Sequence, residues 1–199
     1  METNRRDCVA KSCDKAMKKI GIIQAIAILG IIMAPLGARE PLRSLDDLLK
    51  IERKTEALVE KVMPATVALI SSDTGASGSG VIASKDGLIL TAAHVTDGAE
   101  EVEVVFPNGK QTMATVLGSN YSKDIGMAKI KDEGPWPFAE LGKSKPLKAG
   151  DWVVAMGHSE GYDPARTPPL RFGRVVSEGP GNFLTTDCTL IGGDSGGPL

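Results

Sequence analysis

The sequence predicts an all-β protein built from two small antiparallel β-barrels, preceded by a hydrophobic N-terminal segment and a short helix. Glycine and proline are frequent, at 23 and 12 of 199 residues, whereas aromatic residues make up only 4% of the chain. After Pro64 the chain consists of short apolar runs separated by turn signals, a texture typical of strands. These runs fall into two successive groups, and two groups of short antiparallel strands predict two barrels.

Residues 1–38 have the layout of an export signal. Six lysines and arginines lie among the first 19 residues, an apolar run follows at 20–36, and the small residues Gly37 and Ala38 come next. This order is typical of a secretory signal peptide. An uncleaved anchor through residues 20–36 is the alternative, because 17 mostly apolar residues nearly span a bilayer. Either interpretation predicts an exported, periplasmic or otherwise extracytoplasmic protein, attached to the inner membrane in the second case.

Residues 39–63 predict a short helix. Ser44 can cap its N-terminus, Asp46 and Asp47 favour its first turn, and Pro64 ends it. Its apolar stripe is weak, and we expect the helix to pack on the body of the fold.

Nine segments are predicted to be strands. ATVALISS, GSGVIAS, GLILTAA, EVEVVF, MATVLGS and IGMAKIK predict a first barrel at residues 64–135, with hairpin turns at Asp86-Gly87 and Asn108-Gly109. DWVVAMG, LRFGRVVSEG and NFLTTDC predict a second barrel at residues 136–199. The second group holds too few strands to close, so we expect an incomplete barrel.

Charge and cysteine content exclude several classes of protein. Residues 1–38 carry a net charge of +3 and the remainder −5, so nothing indicates a nucleic-acid partner. Cys188 is the only cysteine beyond the targeting segment, which excludes an internal disulfide in the body. We expect it to be a small buried strand residue, with a redox role as the alternative. Cys8 and Cys13 have no second pair and do not predict a metal site.

A glycine-rich turn predicts a nucleophilic serine. Ser195 lies in GDSGGP, where glycines permit a strained turn that aims backbone N–H groups at an oxyanion. The serine needs a base, and only two histidines exist. His94 ends an apolar strand in LTAAHV, whereas His158 lies in a long loop and is interpreted as a loop residue near the substrate cleft. Asp124 opens an apolar run after a polar turn and can orient the imidazole.

The chain order of these residues carries a family resemblance. Histidine, aspartate and serine follow in the order of the chymotrypsin clan, whereas α/β-hydrolases place the serine first. The segments LVEKVMPATVALIS, GSGVIASKDGLILTAAHV, GSNYSKDIGMAKI, LKAGDWVVAMG and TTDCTLIGGDSGGPL resemble the HtrA/Deg branch of the trypsin-like serine proteases. The resemblance covers residues 58–199 and implies two β-barrels with the active site between them. It implies Ser195 as nucleophile, His94 as base, Asp124 as orienting acid, and the N–H groups of Gly193 and Ser195 as the oxyanion hole.

The resemblance also implies an activity and its partners. It predicts an exported serine endopeptidase that cleaves unfolded or damaged polypeptides through an acyl-enzyme, without a metal or an organic cofactor. HtrA-like proteins are commonly trimers or larger, which makes a homo-oligomer the expected assembly. Because the family continues beyond the serine, a truncated and catalytically inert relative, a binding protein or a non-functional fragment, is the main alternative. An esterase that uses the same three residues is a further one.

Two positions near the catalytic residues depart from the HtrA pattern. Asp194 stands where HtrA-like enzymes usually carry Asn, and trypsins pair this aspartate with a freed N-terminus. No such activation start is recognisable here, so Asp194 requires another partner or a different role. The family's usual Asp-Leu-Ala reads Asp124-Ile125-Gly126, in which only the glycine is an unconservative change.

Two further features concern the substrate. The loop at 157–163 is longer and more polar than usual, which can alter substrate access. Thr189 lies six residues before Ser195, where trypsins place the aspartate that binds lysine or arginine. By this resemblance, a threonine argues against a basic preference and favours a small or aliphatic side chain.

Overall fold

The computed structural model describes residues 44–179 and 183–199, and this part of the chain contains nine strands, one in each predicted segment. Helix α1 (Leu45–Val62) comes first, followed by a short 3₁₀ turn at Met63–Ala65. The predicted export signal at residues 1–38 lies outside the described residues. Among those described, no helix is long and apolar enough to cross a membrane.

Helix α1 lies within the predicted segment 39–63, of which residues 39–43 are outside the described part of the chain; it begins after the predicted cap Ser44 and ends before Pro64. The Ser44 hydroxyl accepts a hydrogen bond from the Asp47 N–H at 3.2 Å, which caps the first turn. The helix borders a shallow apolar groove shared with Leu170 and Phe172 of the body. None of its own residues is buried, however, and Leu45 remains 70% exposed. Charged side chains interrupt the apolar stripe, so the helix is more exposed than a packed helix would be.

Six strands form a closed barrel in the order β1-β2-β3-β6-β5-β4, with every neighbouring pair antiparallel. The strands are β1 (Thr66–Ile70), β2 (Ser77–Ile82), β3 (Leu88–Thr91), β4 (Glu101–Val105), β5 (Gln111–Asn120) and β6 (Ile125–Ile130). Both predicted hairpin turns are confirmed, with φ of 86° at Gly87 and 84° at Gly109, values that favour glycine. Pairing of β1 with β4 closes the barrel and removes its sheet edges.

Small aliphatic side chains fill the barrel. Alternate residues of the strands point inward, and the interior is completed by the stacked rings of Phe106 and Trp136, 5.2 Å apart. The fully buried members of this core include Val67, Leu69, Ile82, Ile89 and Val104. A rigid barrel of this kind supplies the fixed frame from which β3 and β6 present polar residues at one end.

The remaining strands form an open three-stranded antiparallel sheet, β7 (Trp152–Met156), β8 (Leu170–Glu178) and β9 (Leu184–Thr186). This sheet corresponds to the incomplete second barrel expected from the sequence. The chain between β7 and β8 forms the long predicted loop, and the chain after β9 forms the glycine-rich turn. Both of these irregular segments lie against the first barrel, as their hydrogen bonds to β2 demonstrate.

Candidate active site

His94 and Asp124 are joined directly at the end of the barrel. His94 lies in a 3₁₀ turn at Ala93–Val95, just after β3, and Asp124 immediately precedes β6. Because Thr91 pairs with Gly126 in neighbouring antiparallel strands, these two positions meet at one edge. The ring Nδ1 of His94 lies 2.8 Å from Oδ2 and 3.0 Å from Oδ1 of Asp124. The His94 backbone N–H also donates to Oδ1 at 3.1 Å, so the carboxylate fixes both the ring and the main chain.

The surroundings of Asp124 keep its carboxylate charged. Burial raises its pKa, but hydrogen bonds from the backbone N–H and the ring of His94, together with the Ala93 backbone, outweigh this effect and lower it. An ionised carboxylate at Nδ1 favours the tautomer with its proton on Nδ1, which leaves Nε2 of His94 free to accept a proton. Asp124 has a φ of 50°, a left-handed conformation that aspartate tolerates better than most residues.

Packing explains the glycine that departs from the HtrA pattern. A Cβ atom on Gly126 would lie 2.7 Å from the Thr96 hydroxyl and 3.0 Å from the Ala92 carbonyl oxygen. The Thr96 hydroxyl is itself in a 3.1 Å hydrogen bond with that of Ser119. The family's usual alanine would therefore displace a bonded side chain directly beside the His94 turn.

Ser79 on β2 holds the turn that carries Ser195. Its N–H donates to the Ser195 carbonyl at 2.8 Å, and its hydroxyl donates to the Gly193 carbonyl at 2.7 Å. The same hydroxyl accepts the backbone N–H of His158 at 2.7 Å. Ser79 is fully buried. Sequence reasoning missed this residue, although a serine between Gly78 and Gly80 within a strand was an available signal of close backbone approach.

The glycines of this turn let it lie against the strand that leads to His94. Gly193 and Gly196 have φ of 93° and 84°. A Cβ on Gly196 would lie 2.2 Å from the Thr91 hydroxyl and 2.3 Å from the Ser79 carbonyl oxygen, so only glycine fits. The serine turn therefore packs directly on the end of β3.

Two backbone N–H groups and the hydroxyl of the serine turn have no hydrogen-bond partner among residues 44–179 and 183–199. Among the described residues, the N–H groups of Gly193 and Ser195 have no hydrogen-bond acceptor. Within the same residues, no hydrogen bond joins the Ser195 hydroxyl to the His94 ring. Such contacts are often long in enzymes without substrate and tighten when substrate binds.

Asp194 finds its partners inside the fold. Its side chain is only 3% exposed, and its Oδ1 accepts the Ser159 hydroxyl at 2.5 Å. Its Oδ2 accepts the Ile191 N–H at 3.0 Å and lies 3.8 Å from Nη2 of Arg171. The partner that the sequence could not identify is thus supplied by the long loop at 157–163 and by β8.

His158 lies in the predicted loop, but its ring is buried against the barrel and not exposed in a cleft. The residue is 3% exposed, with Nε2 3.4 Å from the Thr66 carbonyl oxygen. Burial lowers its pKa and the positive charge of Arg166 adds to this, while the Thr66 carbonyl acts in the opposite direction. The neutral ring is therefore a packing element between the loop and β1.

Thr189 and Cys188 follow β9. Thr189 is exposed, and its carbonyl accepts Nε–H of Arg171 at 3.0 Å. Cys188 is buried, as expected, with a free thiol 3.7 Å from the Arg171 carbonyl. Over residues 44–179 and 183–199, no group of three or more His, Cys, Asp or Glu side chains is placed to hold a metal ion.

The sequence is similar to those of known serine proteases. The family model described as trypsin-like peptidase domain matches residues 78–199, which include the three predicted catalytic positions. The probable periplasmic serine endoprotease DegP-like of Hahella chejuensis is 37% identical over 126 residues, covering 62% of this chain and 27% of that protein. The serine protease HTRA4 of Homo sapiens is 30% identical over 210 residues, covering 96% of this chain and 43% of that protein.

Two solved structures of proteases are also similar to this chain. The serine endoprotease from Yersinia pestis superimposes with a TM-score of 0.64 and 31% identity, covering 71% of this chain and 51% of that one. The HtrA-type protease AlgW with tripeptide gives a TM-score of 0.62 and 30% identity, covering 70% and 48%. The chain thus spans less than half the length of these curated relatives and about half of these solved chains.

Proposed function

The chain belongs to the trypsin-like peptidase family, in its HtrA branch, and from this membership we propose that it is an exported serine endopeptidase. Its substrates would be unfolded or damaged polypeptides. The observation that carries the proposal is the 2.8 Å contact between His94 Nδ1 and Asp124. It lies beside a serine turn whose Gly193 and Ser195 N–H groups have no acceptor in the described part of the chain.

The first half of the proposed reaction acylates the serine. Ser195 Oγ attacks the carbonyl carbon of the scissile peptide, and Nε2 of His94 takes the hydroxyl proton. The Asp124 carboxylate stabilises the resulting imidazolium. Negative charge develops on the substrate oxygen, where the N–H groups of Gly193 and Ser195 receive it. His94 then returns the proton to the departing amine, and the C–N bond breaks to leave an acyl-enzyme.

The second half regenerates the serine. Water enters where the amine departed and gives a proton to Nε2 of His94 as its oxygen attacks the ester carbonyl. Collapse of this second tetrahedral intermediate breaks the bond to Ser195 Oγ, which recovers its proton from the imidazolium. No metal or organic cofactor takes part in the proposed steps.

We extend the proposal to substrate preference. By resemblance to trypsins, Thr189 lines the pocket that binds the side chain before the cleaved bond. Its side chain is uncharged and the Arg171 guanidinium binds its carbonyl, so this position has no negative charge to attract lysine or arginine. An uncharged threonine at this position supports a preference for small or aliphatic residues before the cleaved bond. Peptides that carry alanine or valine there should be cleaved faster than peptides with lysine or arginine.

The cellular location, the oligomeric state and the boundaries of the two barrels are also proposed from the similarity to HtrA proteins. Several relatives are named periplasmic endoproteases, which supports a periplasmic location for this chain. A homo-oligomer and membrane attachment through residues 20–36 remain predictions. The boundaries of the first barrel at 64–135 and of the second barrel at 136–199 also remain predictions.

Active-site labelling tests the proposed function. The protein is incubated with a fluorophosphonate, which reacts with activated serines, and the modified peptide is identified by mass spectrometry. We expect the label on Ser195, and we expect the wild type to degrade casein. His94→Ala and Ser195→Ala should each abolish both signals. Ser144→Ala removes another exposed hydroxyl far along the sequence from the serine turn and should leave both unchanged.

The alternatives predict other results. Label and casein cleavage that survive loss of His94 would contradict the proposed base. Hydrolysis of small esters without casein cleavage would favour an esterase. A folded wild type that takes no label and cleaves nothing would favour a binding protein without catalytic activity.

A further inference from the structure

Asp194 is a buried residue that lies in sequence between Gly193 and Ser195, whose backbone N–H groups are proposed to form the oxyanion hole. Removing a carboxylate charge from water is costly unless it is paired and hydrogen-bonded. The Ile191 N–H donates to its Oδ2, and the Asp194 N–H donates to the Ile191 carbonyl at 3.2 Å. The carboxylate thereby closes a tight turn that contains Gly192 and Gly193.

Arg171 and Ser159 complete the surroundings of this carboxylate. Nη2 of Arg171 donates to the Ser159 hydroxyl at 2.9 Å, and that hydroxyl donates to Asp194 at 2.5 Å. The same nitrogen lies 3.8 Å from the other carboxylate oxygen. A second guanidinium, that of Arg166, donates to the Ser159 carbonyl and holds the loop at 157–163 in place. A positive charge within the fold therefore faces the buried negative one.

The same loop also fixes the direction of the peptide between Gly192 and Gly193. The Glu160 N–H donates to the Gly192 carbonyl at 2.6 Å, which directs that carbonyl toward the loop. Because a trans peptide is planar, the N–H of Gly193 must point the opposite way, away from the loop. Glu160 adopts a φ of 59°, an unusual conformation for its residue type that places its N–H at this position.

We propose that Arg171 and Ser159 are positioning residues that hold Asp194, and through it the Gly193 and Ser195 N–H groups, in the arrangement that receives the oxyanion. The chain thus carries its own counter-ion for Asp194 on β8 and needs no newly cleaved N-terminus to form this site. The inference rests on the proposed function, because it assigns a role in that reaction. It adds two residues that touch neither substrate nor the reacting atoms.

Kinetics of matched variants test the role. Ser159→Ala and Arg171→Gln should lower kcat for a peptide substrate by about tenfold to a hundredfold, because misplaced oxyanion donors affect the transition state most. KM should change little in Ser159→Ala, which keeps the Arg171 hydrogen bond to the Thr189 carbonyl. Arg171→Lys should recover part of the loss, since it keeps the charge. Arg174→Gln changes the same residue type on the same strand, where the side chain stacks on Trp152, and should retain wild-type kcat.

A structural readout keeps the inference testable if the wild type proves inactive. The amide resonances of Gly193 and Ser195 in a ¹H–¹⁵N spectrum report their surroundings directly. Ser159→Ala should shift both, whereas Arg174→Gln should leave both in place. An unfolded variant would be recognised in the same spectra; if Ser159→Ala is unfolded, Arg171→Lys takes its place in the comparison.

The two proposals fail in different ways. A wild type without fluorophosphonate labelling contradicts the proposed function, whatever the variants do. A labelled wild type whose Ser159→Ala and Arg171→Gln variants keep full kcat overturns the positioning role alone. Unchanged Gly193 and Ser195 resonances in a folded Ser159→Ala variant overturn it as well.

Discussion

The backbone N–H of Ser79 donates to the carbonyl oxygen of Ser195 at 2.8 Å. This bond connects β2 of the closed barrel to the glycine-rich turn, which lies 116 residues later in the chain. The barrel also carries His94 and Asp124, so one rigid element fixes all three predicted catalytic positions. A serine turn attached in this way is restrained in its position relative to His94.

Ser79→Ala should destabilise the protein. The substitution leaves the Gly193 carbonyl and the His158 N–H without their buried partner, at a cost of about 1–3 kcal/mol. Urea unfolding measures this difference, and labelling of Ser195 should slow as the turn loosens. Ser77→Ala on the exposed start of the same strand is the matched control, and equal stability of the two variants would contradict the role of the Ser79 hydroxyl.

Asp124→Asn should remove most of the activity and leave the fold intact. An amide does not hold the proton on Nδ1 of His94 as a carboxylate does, and the loss expected from the wrong tautomer is on the order of ten-thousandfold in kcat. Peptide hydrolysis measures the loss. Asp73→Asn, in an exposed turn after β1, should have no effect. Full activity of Asp124→Asn would require another orienting acid.

Activity should not depend on titration of Asp124 at neutral pH. Its pKa is lowered below the ordinary value of 3.8, so the carboxylate is ionised throughout the range from about pH 5 to 8. The ¹³C resonance of the Asp124 side-chain carboxyl, measured over this range, should keep the chemical shift of an ionised carboxylate. The chemical shift of a protonated carboxylic acid anywhere within this range would contradict the lowered pKa.

Tyr121 should titrate above the ordinary pKa of tyrosine. Its hydroxyl donates to Asp97 at 2.7 Å, and this hydrogen bond, followed by burial and the negative charge, raises its pKa from 10.0. The phenolate absorbance of the wild type and of Tyr162→Phe, which leaves Tyr121 as the only tyrosine, measures it. Asp97→Asn should bring the value back toward 10.0. An unchanged titration in Asp97→Asn would contradict the contact, which ties the Asp124 loop to the His94 turn.

The strands, and the turns in which His94 and Ser195 lie, could be predicted because their signals are local. Asp86-Gly87 and Asn108-Gly109 specify hairpin turns without reference to the rest of the fold. Ser195 stands among glycines that its turn requires, and the position of His94 after an apolar strand is equally local. These local patterns therefore identify strands and turns correctly even where the packing between them is unknown.

The polar contacts around Asp194 could not be predicted from the sequence. Ser159 lies 35 residues before it, and the pairing exists only because the loop at 157–163 folds back on the serine turn. The burial of His158 has the same origin, since its ring meets β1 at Thr66, 92 residues away. Neither sequence spacing nor residue type reports which loop will lie against which strand.

His158 should make the stability of the protein depend on pH. Its folded pKa is lowered below the ordinary value of about 6.5, so the unfolded chain binds more protons between these two values. The stability contributed by the neutral ring is therefore complete above about pH 6.5 and is lost as the pH falls toward the folded pKa. The loss within this window approaches about 1.4 kcal/mol per pH unit, the limit for one proton. Urea unfolding at about pH 7.5 and 5.5 should show a larger loss for the wild type than for His158→Gln. Equal losses in the wild type and His158→Gln would mean that other groups control this dependence.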